Sequence, residues 1–280
     1  MIRILKKGLH TSIQDLGRIG YRKYGVPTSG AMDMQSAKLS NYILGNKEKD
    51  AVMEVTLQGP GIEFLTATRI AICGADLSPS LNGTPTPLNK SILVQKGDLL
   101  DFGVRKTGIR SYLAIAGGFQ TDIILGSRSF YEGITKSAVC DDGDEIAFHS
   151  SFGVGKFQHR LHHPQPINLG LIDLDVHKGP EFEMLNEAQK VLLFNTSFSL
   201  GINNRMAYQL QELLMNELPS ILSSAVLPGS VQLTPAGKMI ILMRDCQTTG
   251  GYPRILQLSE NAINVLAQKM KNEKVSFELV

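Results

Sequence analysis

Apolar residues in this chain come in short runs, each bounded by Gly, Pro, Asn or Asp: Ala51–Thr56, Ile62–Leu65, Arg69–Cys73, Ile92–Val94, Leu99–Phe102, Tyr112–Ala116, Leu171–Val176, Val231–Leu233, Met239–Met243 and Val275–Leu279. Runs of this length with turn residues between them make strands, and their density predicts a mainly β barrel or sandwich with a few short helices. Helical periodicity is confined to Met32–Leu44, Arg205–Leu214 and Asn261–Met270. In the first, Met34, Ala37, Leu39, Tyr42 and Ile43 share a broad face, Ser29 or Asp33 is placed to cap the start, and Gly45-Asn46 to end it.

The order of features from Met1 to Phe102 recurs from Leu171 to Phe277, which reads as an internal duplication. Ile2–Leu5 before Lys7-Gly8 pairs with Leu174–Val176 before Lys178-Gly179, and Ser29–Met32 with Asn204–Ala207. Pro60-Gly61 pairs with Pro228-Gly229, Arg69–Asp76 with Met239–Asp245, and Leu88–Phe102 with Ile263–Phe277. Two domains are expected, residues 1–165 with an extension and residues 166–280. Ser150–Pro166 is the expected linker. His149, His159, His162 and His163 come with no Asp, Glu or Cys beside the last three, so solvated histidines are favoured over a metal site.

At 280 residues with Lys plus Arg 28 against Asp plus Glu 26, the net charge of +2 gives no footprint for nucleic acid or an anionic membrane. Cys73, Cys140 and Cys246 are odd in number and form no CxxC pair, which speaks against a disulfide framework and fits a reducing cytoplasm. The four-residue apolar start broken by Arg3 is too short for a signal core, and no segment approaches the roughly 20 apolar residues of a span.

Two segments are too polar and glycine-rich to be core. The first runs from Thr11 to Asp33. Its glycines at 17, 20, 25 and 30 permit positive φ and close approach, while Gln14, Asp15, Arg18 and Ser29 supply hydrogen-bonding heads. It reads equally as a ligand-facing loop and as a long turn carrying an Asp15–Arg18 ion pair. The second, Arg244–Arg254, follows the strand Met239–Met243. Gly250-Gly251 there is a candidate anion nest, with Gln247 or Thr248 to read a carboxylate or amide, unless the segment is a hairpin turn. Gly117-Gly118 and Gly126–Ser129 are weaker loop candidates. Cys246 has no His nearby in sequence and reads as packing before nucleophile. Walker A, HExxH, GxSxG and dinucleotide signatures are absent, and Ala31-Met32 is followed by Asp33, so no biotin-attachment lysine is present.

Ile13–Arg18 with Gly20-Tyr21, Gly25–Asp33, Glu54–Thr56 with Gly59-Pro60, Ile72–Leu77, Leu81–Gly83, Tyr112–Phe119, Leu125–Ser129, Asn204–Met206 and Gln247–Pro253 occur in an order that resembles the family of the 5-oxoprolinase C subunit. The same family is described as allophanate hydrolase subunit 2 and as biotin-dependent carboxyltransferase-like, related to urea amidolyase. Two departures stand out: Phe130–Asp142 is poorer in glycine than the family, and Ala207 replaces an expected glycine, tolerable if that backbone is helical.

The resemblance implies two cyclophilin-like β-barrel domains and a subunit of an ATP-dependent complex that opens 5-oxo-L-proline to L-glutamate. Its implied partners are a B-type cyclophilin-like subunit and an A-type, LamB/YcsF-like subunit. On that reading the chain is a hydrolase subunit active only with its partners. It binds no metal and no cofactor of its own, and ATP is used by the complex. The alternatives are a carboxyltransferase component using biotin on a separate carrier, and a non-enzymatic antagonist of a kinase-inhibitor partner. The catalytic candidates are Asp15, Arg18 and Gln247. Gln14, Ser29, Gly30, Arg128, Asn204, Thr248, Gly250, Gly251 and Tyr252 are candidates to bind a small amide or carboxylate, the polar loops being expected to converge on one pocket.

Overall fold

The short apolar runs fold as strands whose buried side chains build two compact units. The structure, a computed structural model, describes residues 1–149 and 165–280. Its contacts assign Met1–Arg18 with Ser29–Leu169 to the first unit, and Ile19–Thr28 with Gly170–Val280 to the second. Most of the expected linker, with His159, His162 and His163, lies outside the described residues.

The first unit holds β1 (Ile2–Lys6), β2 (His10–Gln14), helix α1 (Met34–Ile43), β3 (Val52–Thr56), β4 (Gly61–Phe64) and β5 (Thr68–Asp76). It continues with β6 (Ser80–Leu81), β7 (Thr84–Pro85), β8 (Ser91–Val94), β9 (Leu99–Asp101), β10 (Thr107–Ile115) and β11 (Glu145–Ile146). One sheet runs β11-β1-β4-β9-β6-β7 and the other β2-β3-β10-β5-β8. A shared apolar cluster takes Ile2, Ile4, Ile62 and Phe64 from the first sheet and Ile13, Met53, Ile72 and Leu113 from the second. Each such side chain contributes about 1.5–3 kcal/mol on burial. Strand β10 is buried on both faces, because Tyr112 and Ala114 pack in a second cluster with Ala31, Ala37 and Val52. That accounts for its unbroken apolar run.

Helix α1 starts where Asp33 caps it, accepting from Ser36 N (2.9 Å) and Ser36 Oγ (2.6 Å), and it is followed by Gly45 at φ 71°. Its buried face is more polar than the periodicity implies, comprising Ser36, Ala37, Leu39, Ser40 and Asn41. A buried polar network explains how the helix start is held. Glu54 Oε2 accepts from Met32 N (2.7 Å) and from the Tyr112 hydroxyl (2.8 Å), and Tyr112 in turn accepts from Asp33 N (2.7 Å). Arg110 Nε stands 3.9 Å from Glu54 Oε1, with both side chains almost wholly buried. Burial, then the Glu54 and Asp33 carboxylates, push the Tyr112 phenol well above its ordinary pKa.

The second unit holds β12 (Asp173–Lys178), α2 (Glu187–Asn195), β13 (Phe198–Asn203), β14 (Ala207–Leu210), β15 (Ser224–Ala225), β16 (Ser230–Leu233) and β17 (Met239–Leu242). Then come β18 (Thr249–Gly250), β19 (Arg254–Leu258), α3 (Glu260–Leu266) and β20 (Lys274–Leu279). Seven strands close a barrel in the order β12-β19-β16-β17-β14-β13-β20, with β12 and β20 parallel at the closure. The mainly β expectation holds, and this closed barrel agrees with a cyclophilin-like fold.

Sequence periodicity misreads two places. Arg205–Leu214 is not a helix: Asn204 Oδ1 accepts from Met206 N (2.8 Å) and Ala207 N (3.0 Å), turning the chain into β14, where Tyr208 and Leu210 alternate inward. Ala207 is therefore extended rather than helical, and its φ is not positive, so the added methyl is accommodated. Helix α2 carries no periodic signal, although its capping box is written in Asn186 and Gln189, each side chain accepting from the other's backbone N–H (2.9 and 2.8 Å). In the repeat, Leu88–Phe102 falls on β8 and β9 whereas Ile263–Phe277 falls on α3 and β20.

All three cysteines are buried and free. Burial pushes the Cys73 and Cys140 thiols up to about 12, and raises Cys246 too. At pH 8 the folded chain is expected to take up almost no thiol reagent, and denaturant to release all three. Rapid labelling of any one in the native protein would refute this packing. No helix among the described residues is long and apolar enough to cross a membrane.

Candidate functional site

Beyond Gln14, at the end of β2, the chain turns at Gly17 (φ 90°), and the Asp15 carboxylate becomes the centre of a hydrogen-bond cage. Asp15 Oδ1 accepts from Gly17 N (2.8 Å), Ser127 Oγ (2.6 Å) and Ser129 Oγ (2.7 Å), and Oδ2 from Arg128 N (2.7 Å). Ser127-Arg128-Ser129 is presented by a tight turn in which Leu125 (φ 51°) and Gly126 (φ 76°) both take positive φ, closed by Ile124 N donating to Ser127 O (2.8 Å). A carboxylate with this many donors on it is an organiser, poorly suited to lifting a proton from a substrate.

The neighbouring candidates belong to the same construction. Arg18 is wholly buried and donates to Ser129 O. Gln14 Nε2 donates to Ser12 Oγ (3.0 Å) and Phe130 O (3.3 Å). Gly30 (φ 91°) lies so close to the 15–17 backbone that a Cβ would come within 3.1 Å of Asp15 O, and Ala31 N donates to that same oxygen (2.9 Å). Ser29, fully buried at φ 58°, has no hydrogen-bond partner for its Oγ among the described residues.

Asp15 and Arg128 open onto a cleft of about 420 Å³ whose other polar walls are Lys47, Lys49, Asp50, Gln120 and His149. Its floor is the Gly117-Gly118 turn, both residues at positive φ (81° and 72°). A Cβ on Gly117 would lie 2.6 Å from His149 Cβ, and one on Gly118 2.8 Å from Asp50 Cβ, so only glycine fits. Asn46 Oδ1 accepts from Gly117 N (2.9 Å), and Gln120 Nε2 donates to the carbonyls of Gly117 and Gly118 (3.2 Å each). The other end of Gln120 accepts from Arg128 Nη2 (2.7 Å), while Arg128 Nη1 donates to Thr121 O. The guanidinium is thereby fixed at the cleft wall.

The candidates in the second unit are Asn204 and the segment Gln247–Tyr252. Segment 247–252 is a short strand pairing, Ser224 opposite Gly250 and Ala225 opposite Thr249, with Thr248 O accepting from Val226 N (3.2 Å) and Gly251 O from Ile221 N (3.1 Å). Neither Gly250 nor Gly251 has positive φ, so the expected anion nest does not form. A Cβ on Gly250 would lie 2.5 Å from Gln232 Nε2, so a larger residue there would displace the Gln232 amide. Gln232 Nε2 donates to Tyr252 O (3.5 Å), and Gln247 Nε2 to Gln232 Oε1 (3.4 Å). Arg22 anchors the segment by donating to Val226 O and Gln247 O, and Cys246 sits behind it in an apolar cluster with Val226 and Leu242. Asn204 is occupied as a turn residue. Gln14–Arg18 belongs to the first unit and Gln247–Tyr252 to the second.

Sequence reasoning misses Lys47, Lys49, Gln120 and Arg22 as site components. The available signals are the Lys47–Asp50 charge run directly after the α1 stop and the Gln120 that follows Gly117-Gly118-Phe119. Among the described residues no group of His, Cys, Asp and Glu is arranged to hold a metal.

Fold and loops together define a β-barrel protein with a caged aspartate beside a cationic cleft, and comparison places it. The family described as carboxyltransferase domain, subdomain A and B, matches residues 24–279, and the chain belongs to that family. It is 31% identical to the C subunit of 5-oxoprolinase from Escherichia coli (strain K12) over 99% of this chain and 90% of that protein. It is 46% identical to urea amidolyase of Lachancea kluyveri over 46% of this chain and 7% of that one. Among solved structures, TTHA0988 superposes with a TM-score of 0.85 at 25% identity, over 99% of this chain and 55% of that chain. The Kluyveromyces lactis urea amidolyase does so at 0.83 and 27%, over 99% and 18%. This chain thus spans about half of the first of these structures and a smaller part of the second.

Proposed function

We propose that this chain is the C-type subunit of an ATP-dependent 5-oxoprolinase, working with A- and B-type subunits to open 5-oxo-L-proline to L-glutamate. The observation that carries this reading is the end-to-end match: the similarity to the 5-oxoprolinase C subunit takes in 90% of that protein, whereas urea amidolyase is matched over 7% of its length. The chemistry asks for groups that hold a small carboxylate and a lactam carbonyl in place, and the fixed Arg128 guanidinium with the nearby lysines is suited to the first task. ATP is used by the assembled complex, and this chain brings no cofactor of its own. The deciding measurement is 5-oxoproline-dependent ATP hydrolysis by the three subunits together. Turnover is expected to fall at least about a hundredfold when this chain is omitted; undiminished turnover would reject the assignment.

A carboxyltransferase component acting on biotin carried by another protein is the second reading. The 46% identity to urea amidolyase over 129 residues favours it. It requires binding to a biotinylated carrier, which the oxoprolinase reading does not.

A further inference from the structure

We infer that the cleft above the Gly117-Gly118 turn is a binding site for a small oxyanion, the carboxylate or phosphate group of a ligand held between Lys47, Lys49 and Arg128. This rests on the proposed function only for the choice of probes. The cleft, at about 420 Å³, falls in the size range of small-molecule sites. Its charge balance is what selects the ligand. Of its two carboxylates, Asp15 is engaged by the four donors of its cage, and Asp50 Oδ2 accepts from Lys47 N (2.8 Å). Neither the Lys47 nor the Lys49 ammonium has an ion-pair partner among the described residues.

Arg128 uses two N–H groups, toward Thr121 O and Gln120 Oε1, out of the guanidinium's five, leaving three. A planar donor fork held in place by its own wall, with Lys47 and Lys49 lining the same cleft, suits a carboxylate or phosphate and no cation. The floor is pre-formed too, since Gln120 ties the glycine turn to the guanidinium. Little has to be ordered when a ligand arrives.

The test is calorimetric titration of the full chain with 5-oxo-L-proline, L-glutamate and inorganic phosphate in turn, beside the variants K47A/K49A and R128Q. At least one probe is expected to bind, with affinity reduced roughly tenfold or more in K47A/K49A and weakened by added salt. Preference for the two carboxylates identifies a substrate or product subsite, and preference for phosphate a subsite for a phosphoryl group. Because Lys47 and Lys49 are exposed, that variant is expected to keep the wild-type circular dichroism and melting temperature. No binding of any probe by the wild-type chain, or binding that both variants leave unchanged, overturns the inference. The two proposals fail separately. Turnover that needs this chain but ignores K47A/K49A in both binding and KM removes the cleft and keeps the subunit. Probe binding lost in K47A/K49A, with turnover indifferent to the chain, does the reverse.

Discussion

Replacing Glu54 by Ala is expected to destabilise the chain by about 3–5 kcal/mol, the cost typical of removing one partner from a buried charged network. Three groups depend on that carboxylate: Met32 N and the Tyr112 hydroxyl bond to Oε2, and the buried Arg110 guanidinium lies beside Oε1. Water cannot replace it, because Glu54 and Tyr112 are completely buried. Denaturant titration followed by circular dichroism measures the loss, and a thermal midpoint about 10 °C lower is its counterpart in heating. Glu54→Gln keeps an acceptor for Met32 N and Tyr112 and loses the charge beside Arg110, so it should fall between the wild type and Glu54→Ala. An alanine variant within about 1 kcal/mol of wild type would show that the start of α1 is held by apolar packing alone.

The second large effect is expected at Asp15. Asp15→Asn retains one acceptor oxygen and turns its amide NH2 toward a backbone N–H, that of Gly17 or that of Arg128, so in either orientation it opposes donor to donor at about 3 kcal/mol, although the Ser127 and Ser129 hydroxyls can rotate to accept. Stability and complex turnover should therefore decline together, and Ser127→Ala combined with Ser129→Ala should reproduce part of both losses. A general base would behave differently, losing turnover in Asp15→Asn with the melting curve intact. That outcome would return Asp15 to catalysis and reject the cage as its purpose.

What the sequence reveals here divides along a physical line. Strands such as Thr68–Asp76 and Thr107–Ile115 are legible because both faces are buried, leaving unbroken apolar runs. The Asp33 cap is legible because capping is local chemistry. Arg205–Leu214 misleads because Met206, Leu210, Leu213 and Leu214 fit a helical stripe, whereas the strand is selected by pairing of Ala207, Tyr208 and Gln209 with Leu242, Ile241 and Ile240, far along the chain. Helix α2 is hidden because only Leu193 of it is buried, so it carries almost no stripe.

The candidate site is half visible. Asp15 and Arg128 stand out for their polar, glycine-rich settings, but their union across more than a hundred residues depends on tertiary contact. Lys47 and Lys49 look like an ordinary solvated charge run until the glycine turn is seen beneath them. Gly250-Gly251 suggests a nest by composition, while their φ values are set by the β15–β18 pairing.

The excursion of Ile19–Thr28 into the second unit has a consequence for how this protein can be divided or inherited. A scissors cut at the 169/170 boundary would yield two pieces, yet the C-terminal piece would lack Arg22, the residue that fastens Val226 and Gln247. The two halves are thus not interchangeable cassettes. Any shuffling event that replaced the first half would have to bring along a compatible ten-residue loan to the second.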